Sequence, residues 1–495
     1  MQRFRLYTIA LFIMWGALRQ GFFYELDAVL MLTVLASAIL IMILLEKKLE
    51  VNLFQALLIL FTIVYWAALF YAQDFELAME EALKVTSMPL IGFVAARLTY
   101  NNKLKLLKLC IWVGSSLVVV GVLFNLYRQN RLESTIEYAN TLAIFLLVTA
   151  ILCILFYLHE QKVGLLFHLT LQISGLLLTL SRSVWILWIA AILLLLLSYK
   201  LLRTRKQLAR FSFVQLAALG LAVLIKWDLF FFLNRVHSIQ AKASELQIRF
   251  VYWRDSLAMI RDHFLLGTGG GGWSVLLPEY SDPVYFVKYV HNQYLQIFMD
   301  VGLVGLVIFI SILFVFYRGI GLGIMQNEES RLWNKGFVII VTFILLHAGF
   351  DFDLSFPLML GVVVLVLSIG SENLFNLTIK NQAYYRLSLV SIFAFLLFSA
   401  WLTTGYSFMK KGEHNIQSNI QIAAAQKQFT TAKWFLPWSS KAYYDAAKGY
   451  VLLGNQTNDS ASYQKAKEEI EKAIQLSPKQ SLYQALLLEL QQATQ

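Results

Sequence analysis

Six polar side chains in a largely apolar chain have types and spacings that could support chemistry: Arg182, Arg249, Arg254, His291, His347 and Asp351. Arg249 and Arg254 lie in a stretch, Ile248 to Arg261, whose pattern predicts a helix with Trp253, Leu257 and Ile260 as its apolar stripe. Two readings stay open for this pair. A basic, aromatic helix can lie along a membrane interface, or its planar guanidinium groups can hold a phosphate or diphosphate. Arg182, in L-S-R-S-V-W, either snorkels towards headgroups or joins such an anion site. His291 opens an apolar span and is followed by Asn292, a good helix N-cap. A histidine at a water–lipid boundary can take a proton from a hydroxyl near neutral pH.

His347 and Asp351 stand four residues apart and are expected to share one helix face, where ionisable groups in a membrane are costly and usually functional. Asp351-Phe352-Asp353 also spells a D-x-D triplet, which in soluble sugar-nucleotide transferases holds a divalent metal. No other carboxylate cluster supports a metal, so orientation or substrate contact is the preferred role. The glycine-rich run Gly267 to Gly272 lacks the Lys-Ser/Thr ending of a P-loop and follows no strand. A tight reversal of the chain is its expected use.

The elements that must present these residues are membrane helices. The chain has 495 residues, 59% of them hydrophobic and 14% charged, against roughly 25% charged in soluble domains. Mean hydropathy is +0.64. Apolar runs of about 20 residues point to an all-α, polytopic helical protein of about 12–13 spans. The runs are 6–22, 26–45, 52–72, 82–99, 106–127, 138–158, 163–180, 184–202, 212–233, 292–317, 336–354, 356–373 and 385–406. The M-Q-R-F-R start has no small-residue cleavage site after it and reads as the beginning of the first span. Cys110 and Cys153 both sit in apolar runs and define neither a disulfide framework nor a zinc site.

The net charge of +11 is topological and not a nucleic-acid signature. Lys47 and Lys48, Lys103, Lys105 and Lys108, the Lys200–Arg210 cluster, and Arg318, Arg331 and Lys335 all fall on one side together with Arg3 and Arg5. That side is expected to be cytoplasmic. The other receives Asp74, Glu76, Glu80, Glu81 and the long 234–291 loop. The candidate residues gather at this outer face, which suits an anionic, lipid-linked substrate. Four parts are expected: an N-terminal bundle over 1–233, an extracytoplasmic loop over 234–291, C-terminal spans over 292–406 and an external tail over 410–495. In the tail, Ala425, Phe429, Ala432 and Pro437 recur as Ala466, Ile470, Ala473 and Pro478, about 41 residues later. Small–large–small–Pro at this spacing predicts tetratricopeptide-like helices that pack on the membrane part or on a protein partner.

R249-x-x-x-W253 with M-I-x-D-H-F-L-L-G-T-G, H291-N-Q-Y-L-Q with D300-V-G-L-V-G, and H347-A-G-F-D351-F-D353 together resemble the O-antigen ligase and polymerase family of bacterial membrane glycosyltransferases. S181-R182-S183 and Y138-A-N140-T-L-A are similar to it too, and the likeness covers roughly residues 50–375. Asp300 stands where Glu is commoner, and Phe264 replaces the usual Pro. The resemblance implies transfer of a glycan from an undecaprenyl-diphosphate carrier to a hydroxyl of a glycan, lipid or protein acceptor, outside the bacterial cytoplasmic membrane. Arg182 and Arg249 would then neutralise the diphosphate, and His291 would be the base or would orient the hydroxyl. Arg254, Asn292, His347 and Asp351 would contact substrate, with no metal or cofactor and with inversion of the anomeric centre. Two other readings compete: a flippase, which needs charges near the bilayer midplane and paired broken helices, and a membrane anchor that only displays the tail.

Overall fold

The computed structural model describes residues 1–47, 49–228, 244–282, 284–324, 328–370, 376–379, 382–417, 422–457 and 459–493. Lys48, the 234–243 part of the expected outer loop and Pro283 lie outside them. The protein is an all-α polytopic membrane protein. Each expected span is a helix: α1 (Gln2–Leu18), α2 (Glu25–Glu46), α3 (Leu53–Ala68), α4 (Phe75–Ala95), α5 (Tyr100–Leu123), α6 (Ala139–Glu160), α7 (Gly164–Leu178), α8 (Arg182–Ser198) and α9 (Arg205–Lys226). Beyond the loop, which carries α10 (Ser244–Asp262) and α11 (Gly272–Tyr280), follow α12 (Gln293–Ile324), α13 (Glu328–Ala348), α14 (Pro357–Gly370) and α15 (Gln382–Gln417).

Among the described residues, seven of these helices are long and apolar enough to cross a membrane, and four more are apolar but shorter. α4 is neither. It starts at Asp74, whose side chain caps Leu77 N at 2.9 Å, and buries Glu76, Glu80, Glu81 and Lys84. α6, whose apolar window is wholly buried, forms the centre of the bundle. Lipid-facing helices such as α9 and α15 bury only 17% of theirs.

The basic junctions and the candidate residues occupy opposite ends of the bundle. At the basic end, Arg5 and Arg97 both pair with Glu46, and β1 (Leu49–Asn52) forms an antiparallel ladder with the later strand Asn376–Ile379. At the other end, a two-residue ladder, Tyr127–Arg128 against Arg131–Leu132, turns through Gln129 and Asn130, both at positive φ.

The glycine run does reverse the chain, and it does so by wedging into a break in α12. Helical geometry fails at Val301 and Gly302, and the exposed backbone groups are taken up by residues 264–269. Thr268 N donates to Met299 O (2.6 Å), Gly269 N to Asp300 O (3.0 Å), and Leu303 N to Phe264 O (3.0 Å). A Cβ at Gly267 would lie 2.4 Å from Met299 O, and one at Gly302 would lie 2.2 Å from Leu265 O. Backbone-to-backbone approach of this kind admits only glycine. The loop then packs a small core of its own, with Met259, Ile260, Trp273, Leu277 and Met299 buried together.

The helix expected over Ile248 to Arg261 forms as α10. Within its apolar stripe Ile260 is buried and Leu257 is 56% exposed, whereas Asp255 and Ser256 face inwards. An apolar face beside a bilayer can turn to lipid as well as to a core.

The tail forms α16 (Ile422–Phe435), α17 (Ser440–Thr457), α18 (Ser460–Leu476) and α19 (Ser481–Ala493). Ala425, Phe429, Ala432, Ala466, Ile470 and Ala473 are all buried. The tail sits on the membrane part at the site end: Glu76 accepts from Ser440 Oγ (2.8 Å), from Lys441 N (3.0 Å) and from Ser439 Oγ, and Asp74 accepts from Ser477 Oγ.

Substituting Gly302→Ala adds left-handed strain of about 1–3 kcal/mol to the clash with Leu265 O. The purified protein should lose several degrees of Tm and become open to proteolysis at 264–272. Gly321→Ala, where a Cβ meets nothing within 4 Å, should behave like wild type in the same thermal scan.

Candidate functional site

α13 ends at Ala348, and the chain turns through Asp351-Phe352-Asp353 before α14. Both carboxylates are buried, at 0% and 1% exposure. Buried carboxylates must be matched by donors, and here the two sets of donors diverge. Asp351 Oδ1 accepts from Tyr138 Oη (2.8 Å), Phe352 N (2.9 Å) and His291 Nδ1 (3.2 Å). Its Oδ2 accepts from Asn140 Nδ2 (2.5 Å) and faces Arg249 Nη2 at 3.5 Å. Asp353 accepts from Thr141 Oγ1 (2.9 Å) and His347 Nδ1 (2.5 Å), and His347 Nε2 lies 3.1 Å from Ser183 Oγ.

The expected His347–Asp351 pairing is therefore corrected. The helix stops before Asp351, so the four-residue spacing no longer stacks the two side chains, and Asp353 takes His347 instead. The D-x-D triplet commits each carboxylate to a different histidine.

Arg249 and His291 meet at Asp351, as described. His291 adopts φ +52° and is flanked by Phe352 (ring centroids 5.1 Å) and Tyr252 (6.1 Å). Phe352 is itself stacked between Tyr289 (4.7 Å) and Tyr138 (4.8 Å), which fixes the turn against residues 289–291. Tyr289 in turn hydrogen-bonds Glu81 (2.7 Å) and Lys84 (2.9 Å). Asn292 Oδ1 caps α12 by accepting from Tyr294 N (3.0 Å) and Leu295 N (3.1 Å). Arg182 is the first residue of α8, beside Ser183. Arg254 stands apart: its side chain is 65% exposed and pairs with Asp255 at 2.7 Å.

The structure adds residues that the sequence did not single out for chemistry. Arg131, just beyond the hairpin turn, donates to Thr179 O (2.9 Å) and to Asn140 Oδ1. An Asn in a Q-N-R run, a residue tolerant of positive φ, was the available signal for that turn. Tyr138, Asn140, Thr141 and Ser183 lie in motifs already noted, but their long-range partners could not be read from them.

Burial alone would push the Asp351 carboxyl up. The hydrogen bond from His291 and the positive charges of His291 and Arg249 outweigh it and hold the group well below the usual carboxylate range. The Tyr138 phenol moves the other way, raised by burial and by the Asp351 charge, so it remains a donor. A carboxylate on Nδ1 places the proton of neutral His291 there and leaves Nε2 as the acceptor. The arrangement can therefore take a proton at Nε2 and stabilise the imidazolium that results.

Residues 165–310 match the family model described as O-antigen ligase. That stretch contains Arg182, Ser183, Arg249, Arg254, His291 and Asn292, and it ends before His347 and Asp351. No curated protein matches the chain.

Asp351→Ala leaves a buried set of donors without an acceptor, and the loss should be about 3–5 kcal/mol, seen as a lower Tm. The depressed folded value also sets a pH dependence. The stabilisation by Asp351 is complete above the ordinary aspartate range, about pH 4, and declines as pH falls from there through the lower folded value. Tm measured between pH 7 and 3 should show that acid-side decline in wild type, and the variant should lack this component.

Proposed function

We propose, from the match of residues 165–310 to the O-antigen ligase family model and from the site geometry, that the protein is a membrane glycosyltransferase that transfers a glycan from an undecaprenyl-diphosphate-linked donor to an acceptor hydroxyl at the outer face of the bacterial cytoplasmic membrane. The observation that carries this reading is the Asp351–His291 dyad with Arg249 on the same carboxylate. It combines a base with an anion-binding group at one end of the bundle. The outward orientation is supported by the basic junctions at the opposite end.

In this reading His291 Nε2 removes the proton of the acceptor hydroxyl as its oxygen bonds to the anomeric carbon. The bond from that carbon to the diphosphate oxygen breaks, and the electron pair leaves with the diphosphate. Attack from the side opposite the leaving group inverts the anomeric centre. Arg249 and Arg182 neutralise the developing charge, so no metal is called for. Asp351 keeps His291 in the basic tautomer and stabilises its cation. Asn292 contributes by capping α12, which follows His291, and Arg254 lies outside the reacting group. Ligase and polymerase differ only in the acceptor. The 410–495 tail, read as a tetratricopeptide-like unit, supplies a surface for a protein partner on the same side. The flippase reading fits less well, because the buried site charges lie at one end of the helices and not at their middle.

Complementation of a null strain tests this. Arg249→Ala and His291→Ala should abolish surface polymer at normal protein level while lipid-linked glycan accumulates, and transfer by His291→Ala should fall about 10²–10⁴-fold. Arg254→Ala should lose much less. Accumulated single repeats would identify a polymerase, and long unattached chains a ligase. Wild-type surface polymer in both Arg249→Ala and His291→Ala would sink the assignment.

A further inference from the structure

The Asp353–His347–Ser183 chain is not used by the reaction as written. His347 is wholly buried, and both its ring nitrogens are engaged, Nδ1 by Asp353 at 2.5 Å and Nε2 by Ser183 at 3.1 Å. Whatever this imidazole does to a ligand, it does through the Ser183 hydroxyl, which is only partly buried. Ser183 follows Arg182 directly. The guanidinium of Arg131 is anchored at Thr179 O, four residues before Ser183, and at Asn140. The two nearby carboxylates are buried and already engaged. The surroundings of Ser183 are therefore cationic, and the ligand they suit is an anion.

We propose that Ser183 donates a hydrogen bond to the diphosphate of the lipid-linked donor, and that the buried Asp353–His347 pair aims it. The inference rests on the donor assignment above. With His347 as the cationic partner of Asp353, Nε2–H donates to Ser183 Oγ, and the hydroxyl hydrogen turns away from the ring, where it passes from its long contact with Ser181 Oγ (3.4 Å) to the anion. With His347 neutral, the hydroxyl hydrogen is consumed by Nε2, and the oxygen lone pairs face the anion instead. His347 and Asp353 are thus positioning residues, and Ser183 is the contact. Asn140 and Thr141 are adjacent in α6 and bond Asp351 and Asp353 respectively, so the two histidine branches share one support. His291 serves the acceptor, and His347, through Ser183, serves the leaving group.

The test uses the full-length protein in detergent and two soluble probes, farnesyl diphosphate and farnesol, with affinity and ligand-free Tm both measured. Wild type should bind the diphosphate more tightly than the alcohol. Ser183→Ala should weaken diphosphate binding about tenfold or more, the usual effect of losing a hydrogen bond to a charged group, with farnesol binding and ligand-free Tm little changed. Ser183→Thr should restore it. His347→Gln should weaken diphosphate binding similarly, and the double variant should be no worse than either single one. A Ser183→Ala protein with lower Tm but wild-type affinity would make the chain a latch between α8 and α13 and overturn the inference alone. Arg249→Ala separates the two levels. If it too keeps wild-type affinity, or if wild type does not prefer the diphosphate, the donor assignment fails and the inference fails with it.

Discussion

One buried negative charge organises the site end of the molecule. Asp351 is fully buried, and its donors come from separated parts of the chain: Tyr138 and Asn140 at the start of α6, Arg249 on α10, and His291 before α12. A carboxylate out of water is tolerated only when such partners surround it. Removing it from the centre would leave each of those donors facing the others. The loop that carries α10 is therefore tied to the bundle by the group that also tunes His291. Position and reactivity have one cause.

The second constraint is backbone fit. The break in α12 at Val301 and Gly302 leaves amide and carbonyl groups that a membrane helix must satisfy elsewhere. Residues 264–269 supply them through main-chain bonds, which carry the loop over the bundle just after α10. The α12 break, the glycine run and the position of Arg249 are consequently linked. The aromatic stack Tyr289–Phe352–Tyr138 does the same for the other edge, holding the segment before His291 against the Asp351 turn.

These two constraints explain what could be read in the sequence. Apolar runs fix where helices cross, because lipid demands about 20 such residues whatever their neighbours are. The expected spans accordingly are helices, although their ends shift, by as much as eleven residues where the span expected to end at 406 continues to Gln417. Arg249, His291 and Asp351 stood out because charge is rare in this chain, and they do meet. What stayed hidden was pairing between distant segments. Nothing local indicates that Asp353 and not Asp351 takes His347, since that depends on the helix ending at Ala348. Nothing local ties Arg131 to Thr179, or Gly267 to Met299. The partners of the α10 stripe were hidden too: an apolar stripe says only that a face avoids water, and it does not say that Ile260 is buried while Leu257 stays exposed.

The tail shows how the same electrostatic logic reaches beyond the site. Asp74 and Glu76 fall on the expected outer side, and they are only 2% and 5% exposed. Glu76 receives Ser439, Ser440 and the backbone N–H of Lys441 at the start of α17, a cap supplied from another part of the chain. One turn further along α4, Glu80 pairs with Lys288, and Glu81 with Lys84 and Tyr289. Successive carboxylates of one helix thus dock the tail, the loop and the aromatic stack beside His291 in turn. A polar helix that is too charged to serve simply as a membrane span is the rigid piece through which tail and site share a common frame.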